Sequence, residues 1–286
     1  MSQHERFGLV NGHIIGRVLK EAVRRATVTI RNERLVFETQ AKPGYSGKMD
    51  DVCTTADRKA QEIYLRTFHE CFPDYGVIGE EENLRIEPTN GCTAYFTVDP
   101  LDGTRAYIRR QSHGVGTMVA LCEDGEVLSA YVGDINTEEM YGYRPGSSKV
   151  HRITRLDTFE TLGYEARGKT TDSYALLRDP VSTYSPQVQR FIGHFKNYEV
   201  MGSSIGTWAA RLWKRGVMAL LLPPGVETPW DSAPVIGISK KLGYVFLRPR
   251  SVGISWEAYA PPVSPEIYQR EHETLIMHGS DLGWLV

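Results

Sequence analysis

A mixed α/β fold, with helices layered on β-sheet, is what this sequence predicts, and three observations predict it. Phe7, Val10, Ile14, Val18 and Ala22 recur at helical spacing, as do Ala60, Ile63, Tyr64, Thr67 and Phe68. Residues 115–122, 127–132 and 140–143 are alternating or uniformly apolar, the pattern of neighbouring buried strands. Beyond residue 173 strand-like and helix-like stretches take turns, which suits mixed layers around a sheet.

In chain order, residues 4–26 read as one amphipathic helix packed on a sheet. Residues 28–39 become β-branched and alternating, like one or two short strands, and 42–51 are rich in Gly, Lys, Asp and Pro, like a mobile loop. Lys48 in that loop can approach a phosphate or face solvent. Thr54 or Thr55 can cap the second helix, with Asp57 in its first turn at the favourable end of the dipole. A turn at Pro73-Asp74-Tyr75-Gly76 leads into a short strand, Val77-Ile78, which ends at Gly79-Glu80-Glu81-Glu82. Residues 93–98 form a buried strand stopped by Asp99 and Pro100, and Glu123-Asp124-Gly125-Glu126 joins two apolar runs as an antiparallel hairpin. Residues 152–171 are polar and read as a crossing between two halves of the chain. Residues 174–177 follow as a strand, then a helical stripe of Val188, Phe191, Ile192 and Phe195. Gly202-Ser203-Ser204 leads into a helix bearing Ile205, Trp208, Ala209 and Leu212, and residues 217–222 form a strand broken by Pro223-Pro224-Gly225. A last helix opens at Asp231, with Pro234 in its first turn.

Composition narrows the function classes. A chain of 286 residues, 41% hydrophobic and 24% charged, can bury one large core or two smaller ones. No apolar run approaches the roughly 18 residues of a membrane span. Met1-Ser2-Gln3-His4-Glu5-Arg6 lacks the order of a signal peptide, so a soluble, cytoplasmic protein is expected. A net charge of −2 and a pI near 6.5 offer no global attraction to nucleic acid or anionic lipid. Arg24, Arg25, Arg31 and Arg34, and then Arg105, Arg109 and Arg110, make local basic stretches that could draw in an anionic substrate, although a solvated surface is their commoner use. Cys53, Cys71, Cys92 and Cys122 lack C-x-x-C spacing and the eight histidines form no ligand-spaced pair, so neither a zinc site nor a disulfide framework is expected. Tyr259, Pro261, Pro262 and the tail Gly283-Trp284-Leu285-Val286 could form a partner surface.

The chemistry centres on Val98-Asp99-Pro100-Leu101-Asp102-Gly103-Thr104. Pro100 fixes one backbone angle and Gly103 permits a positive φ, so the two carboxylates can converge on one point. Two anions so close raise one another's pKa, and a bound divalent cation is the usual way both stay ionised. Alone, the same residues also suit an ordinary strand-to-helix turn with Asp102 as N-cap. Gly202-Ser203-Ser204 is likewise either a helix cap or an anion site.

Taken together, Val52-Cys53-Thr54-Thr55-Ala56-Asp57, Gly79-Glu80-Glu81, Asp99-Pro100-Leu101-Asp102-Gly103-Thr104 and Trp230-Asp231-Ser232-Ala233-Pro234 resemble, in order, the motifs of the inositol monophosphatase superfamily. These are lithium-sensitive, magnesium-dependent phosphatases that include inositol monophosphatases, fructose-1,6-bisphosphatases, 3'-phosphoadenosine bisphosphate nucleotidases and one branch of histidinol phosphatases. The resemblance implies an αβαβα layered sandwich with the active site between two subdomains. Residues 1–153 would carry the antiparallel sheet and most metal ligands, and 154–286 the substrate pocket and Asp231. It also implies two or three Mg²⁺ ions held by Glu80, Asp99, the Leu101 carbonyl, Asp102 and Asp231, and oxygen-only ligation favours magnesium over zinc. Asp57 and Thr104 would hydrogen-bond one another so that Thr104 orients the attacking water, with Glu80 also in the catalytic set. Gly103, Thr104, Arg105, Gly202, Ser203 and Ser204 would bind phosphate and substrate.

The expected activity is hydrolysis of a small polar phosphate ester, and a homodimer goes with the family. Inositol monophosphatases carry an acidic residue about seven positions before the W-D aspartate, where Pro224 stands here; Glu227 is the nearest substitute. Arg105-Ala106-Tyr107-Ile108 looks more like histidinol-phosphatase-like members, and Pro234 replaces a small residue. Inositol-type and histidinol-type phosphates therefore lead, ahead of nucleoside or fructose bisphosphates. The contrasting expectation, from relatives associated with RNA machinery, is a non-catalytic regulatory protein.

Overall fold

In the computed structural model, which describes residues 11–44, 47–163, 173–250 and 255–285, helix α1 (Gly12–Glu33) is followed by a hairpin of β1 (Thr39–Lys42) and β2 (Asp51–Thr54), then by helix α2 (Thr55–Cys71). Next come β3 (Gly76–Gly79), β4 (Arg85–Ile86), β5 (Tyr95–Asp102), the short helix α3 (Thr104–Ile108), β6 (Gly116–Glu123), β7 (Glu126–Asp134), β8 (Met140–Tyr143), β9 (Val150–Ile153) and β10 (Phe159–Leu162). These strands make one eight-stranded sheet in the order β10-β9-β8-β7-β6-β5-β3-β4, antiparallel except that β3 lies parallel to β5.

The rest of the chain runs β11 (Tyr174–Leu177), α4 (Pro186–Ile192), β12 (Asn197–Val200), α5 (Ile205–Trp213), β13 (Ala219–Leu222), β14 (Gly225–Glu227), α6 (Pro229–Lys241), β15 (Tyr244–Pro249), β16 (Trp256–Ala258), β17 (Tyr268–Arg270) and β18 (Thr274–His278). Six strands form a second sheet, β12-β11-β13-β18-β15-β16, in which β11 is parallel to both β12 and β13. β14 and β17 pair as a separate antiparallel ribbon.

Period-two alternation along the strands explains the stacking. Val119 and Leu121 of β6 join Leu19, Val23, Ile30, Tyr64 and Phe68 in a core beneath α1 and α2. Met118, Ala120 and Cys122 of the same strand meet Trp208, Leu212, Val235 and Ile238 of α5 and α6. In β13, Leu220 and Leu222 belong to that second core, while Ala219 and Leu221 pack with Val188, Phe191 and Ile192 of α4. The order is thus helices, sheet, helices, sheet, helix, the αβαβα sandwich expected. Helix α6, caught between two sheets, buries Trp230, Ala233, Val235, Ile236 and Ile238 around its circumference and has no polar stripe to give its period away.

Several local expectations need correction. Residues 28–33 are helical, because Thr27 and Ile30 fall on the same buried face as Val23 and Ala26, and packing there outweighs the β-branched preference. The expected strand region shrinks to β1, from Thr39. The buried stripe is Ile15, Leu19, Ala22, Val23, Ala26 and Ile30, whereas Ile14 is 47% exposed; Phe7 and Val10 lie outside the described residues. The ends of the expected loop pair with each other, Lys42 with Asp51, in the β1–β2 hairpin. The expected crossing begins instead with sheet, since β9 ends at Ile153 and β10 pairs back on it; residues 164–172 lie outside the described part. Helix α6 starts at Pro229, which puts Pro234 in the second turn, where it withholds the N–H that would reach the Trp230 carbonyl. Trp284 of the tail packs on Phe191 and Phe195 rather than forming a free patch. All four cysteines are free thiols, and among the described residues no helix is long and apolar enough to cross a membrane.

The helical continuation of α1 is testable. Ile30 is fully buried and Val28 is 49% exposed. Urea unfolding should show a loss of about 2–5 kcal/mol for Ile30→Ala and a change within about 0.5 kcal/mol for Val28→Ala; a strand would put both residues on one face and would not produce that contrast.

Candidate active site

The carboxyl ends of the parallel pair β3 and β5 bring the first acids together. Glu80 directly follows β3, and its N–H donates to the Val98 carbonyl at 3.2 Å, which fixes it beside Asp99. Asp99 and Asp102 are three residues apart and would point to opposite faces of a regular strand. The pairing with β6 slips here: Asp99 lies opposite Met118 and Asp102 opposite Gly116, so β5 carries one extra residue. This bulge at Pro100–Leu101 reverses the parity and turns both carboxylates to one side, and Pro100 has no N–H to lose from the ladder. Gly103 then takes φ +89°, and a Cβ there would sit 2.3 Å from the Gly114 carbonyl oxygen.

Two helix starts complete the cluster. Asp102 accepts hydrogen bonds from Ser204 Oγ at 2.5 Å, the Gly206 N–H at 2.8 Å and the Ile205 N–H at 3.2 Å, at the amino end of α5. Gly206 permits that approach, because a Cβ would meet Met118 Sδ at 2.5 Å. Asp231 stands in the first turn of α6, whose cap, Thr228 Oγ1, accepts from its N–H at 3.4 Å. Asp99, Asp102 and Asp231 each offer an oxygen within 4.8 Å of the others. Asp99 Oδ1 is buried without a hydrogen-bond partner among the described residues.

Nothing inside this cluster neutralises it. Burial, then Glu80, Asp102 and Asp231, raise the Asp99 carboxyl well above its ordinary value. Burial and Asp231 push Asp102 up to about 7 against the three hydrogen bonds it accepts, and burial with Glu81 and Asp231 pushes Glu80 up to about 8. Lys42 stands at its edge, with Nζ 2.9 Å from Glu80 and 2.7 Å from Glu81. Burial alone would lower the Lys42 pKa, but these carboxylates raise it. An orphaned buried oxygen within a crowded set of carboxylates, with no His or Cys among them, is the donor chemistry that a hard divalent cation fits.

A second pair stands alongside. Asp57 is buried in a capping box: the Thr54 N–H donates to its Oδ2 at 2.8 Å and Thr54 Oγ1 at 2.5 Å. Its other oxygen faces Thr104 Oγ1 at 3.1 Å, and burial, partly offset by Thr54, pushes its carboxyl up to about 6. Thr104 Oγ1 is also 3.1 Å from the Leu101 carbonyl. Helix α3 begins at Thr104, so the N–H groups of Thr104 and Arg105 have no intrahelical acceptor.

A cleft of about 250 Å³ receives these groups. Glu80, Asp99, Leu101, Asp102, Gly103 and Thr104 line it, as do Arg105, Gly202, Ser203, Glu227 and Asp231. Three expected residues are absent from its wall, the first being Asp57, which is buried behind Thr104. Ser204 is fully buried, its hydroxyl committed to Asp102 and to capping α5, and Lys48 stands exposed on the hairpin. Glu227 does line the cleft, but Arg270 Nε holds its Oε1 at 2.9 Å. Sequence reading missed Lys42, Arg178, Arg270 and Tyr268, and Tyr259 and Pro261, which it offered for a partner surface, line the cleft. Arg178 follows the carboxyl end of β11, a position that the strand pattern could have flagged.

A family model described as the inositol monophosphatase family matches residues 13–280. A histidinol-phosphatase of Chlorobaculum parvum is 27% identical over 210 residues, 70% of this chain and 73% of that protein. An inositol-1-monophosphatase of Rhizobium meliloti is 37% identical over 154 residues, 54% of this chain and 57% of its own. The extragenic suppressor protein suhB of Bartonella henselae shares the fold, with a TM-score of 0.70 at 17% identity over 95% of this chain and 96% of that one.

The raised carboxyls tie stability to pH. Glu80, Asp57 and Asp102 bind protons more tightly folded than at their ordinary values of 4.5 and 3.8. Their stabilisation is therefore full below about pH 4 and is lost as pH rises through about 6 to 8. Thermal unfolding in EDTA should show the melting temperature falling across that window. Added Mg²⁺ should raise it more at pH 8 than at pH 5, because binding needs the ionised carboxylates; a Mg²⁺ effect independent of pH would contradict the cluster's role.

Proposed function

The chain belongs to the inositol monophosphatase family, and from that premise we propose that it is a Mg²⁺-dependent phosphomonoesterase acting on a small phosphate ester. One observation carries the reading: the oxygens of Asp99, Asp102 and Asp231 gather within 4.8 Å at the wall of a cleft. Glu80, Asp99, the Leu101 carbonyl, Asp102 and Asp231 would hold two or three ions. Bound there, Mg²⁺ would polarise the phosphoryl oxygens, make a water nucleophilic and stabilise the leaving oxygen.

The chain's own groups do the rest. Asp57 is buried behind Thr104, which alone of the two lines the cleft. Donating a hydrogen bond to Asp57 leaves the Thr104 hydroxyl oxygen free to accept one from an attacking water, so water is aimed from a fixed position. The Thr104 and Arg105 N–H groups and Ser203 offer donors to phosphate oxygens, and the Arg105 guanidinium, anchored on the Asp50 carbonyl, adds charge at the rim. Lys42 holds Glu80 and Glu81 in place from the opposite side. No covalent nucleophile is required. The complete set of acids argues against a purely regulatory scaffold.

Phosphate release from a panel of esters, with and without Mg²⁺, tests this reading. Asp99→Asn should lower Mg²⁺-dependent release by about a thousandfold or more while the thermal transition in EDTA stays near or above that of the unmodified chain, since a crowded buried charge is removed. Thr104→Ala should lower kcat by about 10²–10⁴ with little change in KM. Retained turnover in Asp99→Asn would overturn the metal assignment.

A further inference from the structure

We infer that the ester's leaving group carries a second anionic group, a carboxylate or another phosphate, and that Arg178 reads it. This deepens the phosphatase reading and rests on it. β11, β12 and β13 run parallel, and their carboxyl ends open on one crevice, the usual place for a ligand in such sheets. Arg178 comes directly after β11, Gly202 and Ser203 come just after β12, and Leu222 ends β13; all four line the cleft.

The guanidinium of Arg178 reaches the ribbon strand β14, where its Nη1 lies 3.9 Å from the position of a Cβ on Gly225. Its side chain is 46% exposed, and among the described residues its nearest carboxylate is Asp179, at 3.9 Å, too far for a hydrogen bond. Arg270 is the opposite case. It is 5% exposed, donates to Glu227 at 2.9 Å and to the Pro223 carbonyl at 2.8 Å, and also bonds the His272 carbonyl.

These pairings set the charge balance on that wall. Glu227, the acid that might have gripped the hydroxyls of a polyol or a cationic amine, is already matched by Arg270. Asp51 faces Lys42 at 3.8 Å. Among the described residues, no carboxylate holds Arg178 by a hydrogen bond, so at the strand ends of the second sheet it is the cation open to a leaving group, and a planar, always-charged fork suits a carboxylate or phosphate. Tyr259 and Tyr268 add flat flanking surface.

The test compares kcat/KM of the Mg²⁺-loaded enzyme on matched esters: glycerol 2-phosphate against 2-phosphoglycerate, and fructose 6-phosphate against fructose 1,6-bisphosphate, with histidinol phosphate as the cationic case. The anionic member of at least one pair should be preferred by about tenfold or more, and histidinol phosphate should rank below the neutral esters. Which pair shows the preference tells carboxylate from phosphate. Arg178→Met should cut the anionic-to-neutral ratio by about tenfold or more, mainly through KM, and Arg178→Lys should restore part of it. Equal use of neutral or cationic esters, or an Arg178→Met loss that is the same for both members of each pair, would overturn the assignment. Release from none of the five esters would count against the phosphatase reading alone. The assignment would then be decided by calorimetry, where it requires the anionic member of at least one pair, 2-phosphoglycerate or fructose 1,6-bisphosphate, to bind more tightly than its neutral match and Arg178→Met to erase the difference.

Discussion

Buried negative charge that the protein does not neutralise is the constraint on which the rest of this structure depends. Glu80, Asp99, Asp102 and Asp231 repel one another in a poorly hydrated place, and a flexible chain would relax by moving them apart. Here they cannot separate. Glu80 and Asp99 are fixed by paired strands, Asp102 by a bulge and three donors, and Asp231 by the first turn of a buried helix. The amino ends of α5 and α6 also place partial positive charge near Asp102 and Asp231, which eases the repulsion without removing it. A fold that holds such groups together sacrifices local stability for preorganisation, the usual signature of a functional site.

Topology explains why the cleft lies where it does. Each sheet has a parallel joint, β3 with β5 in the first and β11 with β12 and β13 in the second, and the same cleft collects residues from the carboxyl ends of both. The first sheet delivers Glu80, Asp99 and Asp102, helix α6 adds Asp231, and the second sheet delivers Arg178, Gly202 and Ser203. Helices α5 and α6 run between the sheets and turn their amino ends toward the same place, so the middle layer ties the two halves into one site.

Much of this was legible in the sequence because the chemistry is written in short local runs. The Asp99–Thr104 turn, the Thr54–Asp57 capping box and the Trp230-Asp231 helix start each announce themselves within a few residues, and so do the hairpin at residues 123–126 and the strand β11. What was hidden depends on partners distant in the chain. The β-branched end of α1 stays helical because of the sheet beneath it. Helix α6 lacks an amphipathic stripe because both its sides are buried. Lys42 rather than Lys48 reaches the acids because the hairpin register pairs it with Asp51. The Arg270–Glu227 pair spans 43 residues and has no local signal.

Ser203 and Ser204 show how finely the two kinds of information divide. A Gly-Ser-Ser run before a helix reads the same in sequence whether its hydroxyls cap, bind phosphate or hold another side chain. In the fold, the cap position turns Ser204 inward to Asp102 and Thr207, while its neighbour faces the cleft. The same asymmetry separates the two halves of the site. The acids of the cluster are placed by strand pairing, a bulge and two helix starts, which are set by the fold as a whole. The leaving-group wall depends on the balance of two arginines and one glutamate, and Arg270 has already cancelled Glu227. A single charged side chain can change what that wall accepts, which is why motifs for the chemistry leave the substrate undetermined and why its identity has to be read from Arg178.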